Sequence, residues 1–126
     1  MIHLDTNLLI GAADTADRHH PTARRVLAGP GPFSCSAVAW TEFHSQPLPS
    51  VLADATRGML TAGIIPFDEA TAVLAGDLYH LTGSKRRTRL DTMIAATAIL
   101  AGAELATVNP DDFQAFLPHG LKLTPL

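Results

Sequence analysis

Four acidic side chains stand where the 126-residue chain is expected to pass from one structural element to another. Asp5 follows the apolar run Met1–Leu4, and Glu42 lies in Val38-Ala39-Trp40-Thr41-Glu42-Phe43. Asp91 comes just after a basic run, and Asp112 belongs to Asn109-Pro110-Asp111-Asp112. Carboxylates gathered at one place repel each other and hold their protons unless a cation sits among them. An all-oxygen donor set suits Mg²⁺ or Mn²⁺. Such ions activate water and neutralise developing charge in phosphodiester hydrolysis. Taken singly, each acid has a plainer reading. Asp5 and Asp91 become helix caps, and Glu42 a solvated helix residue. Asp5 resists this best, since a bare charge directly behind a buried strand is an unusual placement.

Neighbouring residues extend the pattern. Thr6 and Asn7 suit binding of site water or phosphate, and equally suit a local cap of the first helix. Lys85-Arg86-Arg87-Thr88-Arg89 holds four of the nine Lys and Arg residues and ends two positions before Asp91. Arg86, Arg87 and Arg89 are therefore candidates for holding a nucleic-acid backbone, with a solvated loop as the bland alternative. Asn109 is a polar neighbour for water or metal. The six histidines are scattered. His3 reads as a hydrogen-bonded structural residue, and Trp40 as core or dimer interface rather than a base-stacking platform.

The elements that must place these groups follow from periodicity and punctuation. Met1–Leu4 reads as a first strand. A helix then starts near Thr6 or Asn7 and is ended by Gly11 and the polar run Asp14–His20. Pro21 starts a second helix, Thr22–Leu27. Phe33–Cys35 is a second strand, and Ser36 caps a helix through Phe43. Ser50 caps a helix reaching about Ala62, with Gly63 as its stop. Ile64-Ile65-Pro66 is a third strand, and Asp68 caps a helix carrying Ala72, Leu74, Ala75, Leu78 and Leu81. Thr82–Arg89 reads as a loop and Leu90–Leu100 as a helix opened by Asp91, whose N-terminus favours anions. Ala103–Val108 is a strand, Pro110–Phe116 a helical turn and Leu121–Leu123 a last strand. Alternating strands and helices imply a parallel sheet covered on both faces. Its functional crevice lies at the carboxyl ends of the strands, where the acids fall.

Composition bounds the rest. The length fits one domain spanning residues 1–126, and a hydrophobic share of 47% suffices for a core. Net charge is −3, so nucleic-acid binding must rest on a local basic cluster and on metal rather than a broad cationic surface. Cys35 is the only cysteine, which excludes an intrachain disulfide and a Cys-based zinc site. The opening residues do not read as a secretory signal, and the longest apolar stretch, Ile94–Ala103, falls well short of the roughly 20 residues that span a bilayer. A cytoplasmic protein without a membrane association is expected. Glycine motifs for nucleotide phosphates are absent, as is a serine nucleophile elbow.

The four acidic segments, taken in order, resemble the four motifs of PIN domains. These are Asp5-Thr6-Asn7 behind a hydrophobic strand, the segment around Glu42, Arg89-Leu90-Asp91-Thr92-Met93-Ile94-Ala95-Ala96, and Leu105-Ala106-Thr107-Val108-Asn109-Pro110-Asp111-Asp112-Phe113. Size and the last two motifs look most like VapC-type toxins. The resemblance implies a PIN-like three-layer α/β/α fold with a short, mostly parallel sheet. It implies an endoribonuclease dependent on Mg²⁺ or Mn²⁺, with Asp5, Glu42 and Asp91 as metal-binding and catalytic acids. Asp112 is the preferred fourth acid, with Asn109 and Asp111 as its rivals. It further implies an RNA substrate, a VapB-like antitoxin that restrains the activity, a homodimer, and a heterotetramer or larger assembly with the antitoxin.

Other functions fit the same residues less well or equally well. A phosphoacceptor receiver domain also carries acids at strand ends, but it needs an acceptor at the third strand and a late lysine. Asp68 and Lys122 fill those positions poorly. A PIN nuclease that processes RNA without being a toxin fits the same residues. An inactive PIN-like binding module does not account for the retained Asp5, Glu42 and Asp91.

Overall fold

A computed structural model describes all residues, 1–126. Five short strands form one parallel sheet: β1 (Ile2–Leu4), β2 (Phe33–Ser36), β3 (Gly63–Ile65), β4 (Glu104–Ala106) and β5 (Lys122–Leu123). The helices are α1 (Thr6–Ala13), α2 (His20–Leu27), α3 (Ala37–His44), α4 (Ser50–Met59), α5 (Glu69–Leu81) and α6 (Arg89–Leu100), with 3₁₀ segments at Arg86–Thr88 and Pro110–His119. This is the expected α/β/α architecture. Strand order is β3-β2-β1-β4-β5. The chain therefore winds outward from β1 through β2 to β3, then returns to the other side of β1 for β4 and β5. The reversal lies between β1 and β4, and a crevice opens outside the strand ends at such a point.

Parallel strands covered on both faces read as apolar runs rather than alternating ones. β2 is buried at all four positions, including Ser34 and Ser36. Ser36 accepts from the Ala39 N–H at 2.9 Å and caps α3. Ser34 Oγ meets His3 Nδ1 at 2.9 Å, pairing two buried polar side chains on neighbouring strands, while His3 Nε2 has no hydrogen-bond partner. Burial pushes the His3 imidazole down to about 4 and keeps it neutral at physiological pH. The core gathers Leu4, Leu8, Leu9, Phe43, Ile94, Leu105, Phe113 and Phe116. α1 packs on α2, and α5 on α6.

Several boundaries differ from the sequence reading. Gly11 does not stop α1, which runs on to Ala13 and ends at the polar run, with Asp14 at its C-cap. Gly11 is buried, and a Cβ there would stand 3.0 Å from the His19 carbonyl oxygen. The glycine thus serves the close approach of the chain entering α2. α2 starts at His20, ahead of Pro21. Ser50 is the first helical residue of α4 rather than its cap: Pro49 holds the cap position, with no side-chain hydrogen bond. α4 ends at Met59, and Gly63, with φ of 85°, begins β3 instead. β4 ends at Ala106 rather than Val108, so Thr107 and Val108 lie beyond the strand end.

Candidate active site

Asp5 is the N-cap of α1, one residue beyond the carboxyl end of β1. Its side chain is buried at 5% exposure. Three donors hold it: Oδ1 accepts from the Thr6 N–H at 2.8 Å, and Oδ2 accepts from Asn7 Nδ2 at 3.0 Å and from Thr107 Oγ1 at 2.7 Å. The capping and functional readings of Asp5 are therefore compatible. A carboxylate offers about four lone-pair sites, and roughly one is left for a further partner. Burial raises the Asp5 pKa, the three hydrogen bonds oppose this, and Glu42 adds a smaller push upward.

Thr6 faces the second acid. Its hydroxyl donates to Glu42 Oε1 at 2.8 Å and fixes the α3 carboxylate beside α1. Asn7 links the first motif to the fourth: Nδ2 reaches Asp5, and Oδ1 accepts from the Val108 N–H at 3.4 Å. Both residues thus orient the acids rather than stand free in the crevice.

Thr107, which sequence reasoning passed over, ties the fourth motif to the first. It is buried at 5% exposure, donates to Asp5 Oδ2, and accepts at the same oxygen from the Asn109 N–H at 3.0 Å. The available signal was a hydroxyl one residue past the apolar end of β4, the counterpart of Asp5 after β1. It gave way to the acids that follow it.

Asp91 lies in the first turn of α6 as its third residue and does not cap it; Thr88 holds the cap position. Burial, followed by the charges of Asp5, Asp112 and Glu42, pushes the Asp91 carboxyl up to about 7. The fold thus sets four acids from four separate segments near enough for the charges of the other three to act on Asp91. Asp112 enters the site from the Pro110–His119 segment. Asp111 shares with Asp91 and Asp112 a polar cleft of about 350 Å³.

The basic run divides. Lys85 and Arg87 line that same cleft. Arg86 is exposed at the start of the 3₁₀ turn and is not part of the cleft lining. Arg89 turns the other way: its guanidinium lies 4.9 Å from the centre of the Tyr79 ring, and Nη2 is 3.4 Å from the Tyr79 hydroxyl. Arg89 lines a separate groove between α5 and α6. Trp40 is half-buried on α3, packed edge-on to His44 with ring centres 4.7 Å apart.

The donors fit a hard divalent cation by chemistry and charge. They are all carboxylate oxygens, their repulsion is uncompensated at Asp91, and Asp5 keeps a free lone pair. No three His, Cys, Asp or Glu side chains converge closely enough to chelate an ion alone. That arrangement suits an ion such as Mg²⁺, which keeps several waters and takes one or two carboxylates.

The PIN domain family model matches residues 2–116. The chain belongs to the PIN-domain family. This PIN domain superposes with a TM-score of 0.69 on a toxin–antitoxin complex from Klebsiella pneumoniae, at 28% identity over 90% of this chain and 91% of that one. It is similar to FitAcB from Neisseria gonorrhoeae, with a TM-score of 0.68 and 21% identity over 99% and 97% of the two chains. It also shares its fold with VapC20 of Mycobacterium tuberculosis, described as a sarcin-ricin loop cleaving toxin, with a TM-score of 0.69 and 16% identity over 99% and 100%. No curated protein matches the chain in sequence. No helix of this PIN domain is long and apolar enough to cross a membrane.

Proposed function

We propose that this PIN domain is a Mg²⁺- or Mn²⁺-dependent endoribonuclease and the toxin of a VapC-type toxin–antitoxin pair. The observation that carries the nuclease reading is the site of four acids in which Asp91 is pushed up to about 7. A carboxyl so placed has a strong electrostatic preference for a divalent cation. Of Asp5, Asp91 and Glu42, one or two would hold the ion directly and the rest through its bound waters, with Asp112 at the edge. When bound, the ion supplies an activated water and offsets charge developing on the scissile phosphate. Thr107, Thr6 and Asn7 keep the acids in register through the hydrogen bonds described above. Lys85 and Arg87, which line the same cleft as Asp91 and Asp112, suit the flanking phosphates of an RNA strand.

The toxin reading rests on the likeness to the Klebsiella toxin–antitoxin complex. A nuclease of this kind in the cytoplasm needs restraint, and an acidic crevice offers a direct means. A partner's Arg or Lys, on a tail that is disordered when free, would pair with Asp5 and Asp91 and exclude the metal. A small VapB-like antitoxin is that partner, assembling with a homodimer of this chain into a heterotetramer or larger complex. Co-purification with the product of the neighbouring gene, and growth arrest when this chain is expressed alone, are the expected results. Harmless expression of the intact chain would favour a PIN nuclease that processes RNA without being a toxin. Incubation of the purified chain with total RNA and Mg²⁺ or Mn²⁺, followed by mapping of the cut ends, tests the chemistry. Intact RNA under all these conditions would leave an inactive binding module.

A further inference from the structure

The basic turn beside the acids is held at its base by a residue that touches none of them. Tyr79, near the end of α5, grips Ser84 twice. The Tyr79 carbonyl accepts from the Ser84 N–H at 2.9 Å, and the Tyr79 hydroxyl donates to the Ser84 carbonyl at 2.8 Å. Arg89 covers the same ring and approaches the same hydroxyl. Ser84 has a φ of 56° and is the chain's one non-glycine residue with positive φ, next to Gly83 at 98°. An L-residue enters that region against steric resistance and stays there when its surroundings hold it. Here the holding groups are the two ends of Tyr79.

The turn is fixed again beyond Ser84. The Thr88 N–H and hydroxyl both donate to the Lys85 carbonyl, at 3.0 and 2.8 Å, and Thr92 Oγ1 donates to the Thr88 carbonyl at 2.7 Å. Between the two anchors stand Lys85, Arg86 and Arg87. Lys85 and Arg87 reach the cleft of Asp91, Asp111 and Asp112. Long cationic side chains on a free loop would spread over many directions and lose rotamer entropy on binding an anion. A fixed backbone removes part of that loss.

We propose that Tyr79, steadied by Arg89, is a positioning residue that sets Lys85 and Arg87 against the acidic cleft for binding the RNA backbone. The inference rests on the nuclease reading above and gives Arg89 a different task from direct contact with RNA. Tyr79→Phe removes the hydroxyl and keeps the ring under Arg89, so it is a mild test of the clasp. Arg89→Gln removes the cation.

Binding of a fluorescein-labelled single-stranded RNA is measured by anisotropy in EDTA, where no cleavage intervenes, across a salt series. Tyr79→Phe is expected to weaken binding threefold or more and to flatten the salt dependence, as loss of phosphate contacts does. In a Lys85→Ala/Arg87→Ala background, Tyr79→Phe is expected to change binding less than 1.5-fold, because its effect passes through those two side chains. In cleavage assays the loss is expected in KM rather than kcat. Amide exchange at Ser84–Thr88 is expected to quicken in both Tyr79→Phe and Arg89→Gln. Equal losses in the two backgrounds, or wild-type binding by Tyr79→Phe, would overturn the clasp while leaving the nuclease reading intact. A wild-type chain that neither binds nor cuts RNA would overturn both.

Discussion

Thr107 donates a hydrogen bond to Asp5 Oδ2 across 2.7 Å, joining residues 102 positions apart in sequence. β1 and β4 are adjacent in the sheet, with Leu4 opposite Ala106. The residue following each is therefore brought face to face at the point where the winding reverses. That pairing builds the floor of the acidic site. Asp5, otherwise buried and repelled by Glu42, is kept in place by a neutral donor that consumes no charge.

Thr107→Val tests this floor with little change of shape. It leaves Asp5 Oδ2 short of one donor and the Asn109 N–H without its acceptor. A hydrogen bond to a charged group contributes about 1.5–3 kcal/mol. Chemical denaturation should show a loss near the lower end of that range, since Asn7 and the Thr6 N–H remain. Removing the partner that orients a metal-binding group typically costs about 10- to 100-fold in metal affinity or activity. RNA cleavage should fall by a similar factor. Wild-type cleavage by Thr107→Val would show that Asp5 needs no such support.

Asp91 sets a pH dependence of unusual sign. Its folded pKa, about 7, lies above the ordinary carboxylate value of 3.8. The folded state then binds a proton more readily than the unfolded chain. The stability linked to Asp91 is complete below pH 4 and is lost as pH rises through about 7. His3 works in the opposite direction, because its folded pKa of about 4 lies below 6.5 and its stability is lost as pH falls. The comparison of wild type with Asp91→Asn separates the two. In EDTA, the Tm advantage of Asp91→Asn over wild type should grow between pH 5 and pH 8, and Mg²⁺ should shrink it at pH 8. A constant difference across that range would show that Asp91 is not in the repulsive setting described.

The fourth motif offers three candidates, and the electrostatics favour Asp112, which acts on Asp91. Asp112→Ala should lower cleavage strongly, by 100-fold or more, whereas Asn109→Ala and Asp111→Ala should each cost less than 10-fold. Loss of activity on Asn109→Ala with a mild Asp112→Ala would transfer the role to Asn109.

Much of this site was legible in the sequence because its signals are local. A charge directly behind an apolar strand marks Asp5, and Ser36 and Asp68 cap the helices they were expected to cap. The features that were missed depend on partners distant in sequence. Gly11 has the composition of a helix stop, but its meaning comes from the approach of His19. Ser50 has the chemistry of a cap, yet Pro49 takes that place. The order β3-β2-β1-β4-β5 decides that Thr107 meets Asp5, and periodicity carries no trace of strand order. The basic run looks uniform as a string of Lys and Arg. Only the left-handed turn at Ser84 and the ring of Tyr79 sort Lys85 and Arg87 from Arg89.

The central claim is that the four acids perform metal-dependent hydrolysis of RNA. Its most direct test is a paired cleavage assay of wild type and Asp5→Asn on total RNA, with Mg²⁺, with Mn²⁺ and with EDTA. Circular dichroism and thermal melting on the same preparations establish that both are folded. The account predicts discrete cleavage by wild type with either metal, none in EDTA, and at least a 100-fold loss in folded Asp5→Asn. Cleavage by folded Asp5→Asn at the wild-type rate, or wild-type cleavage that persists in EDTA, would contradict it.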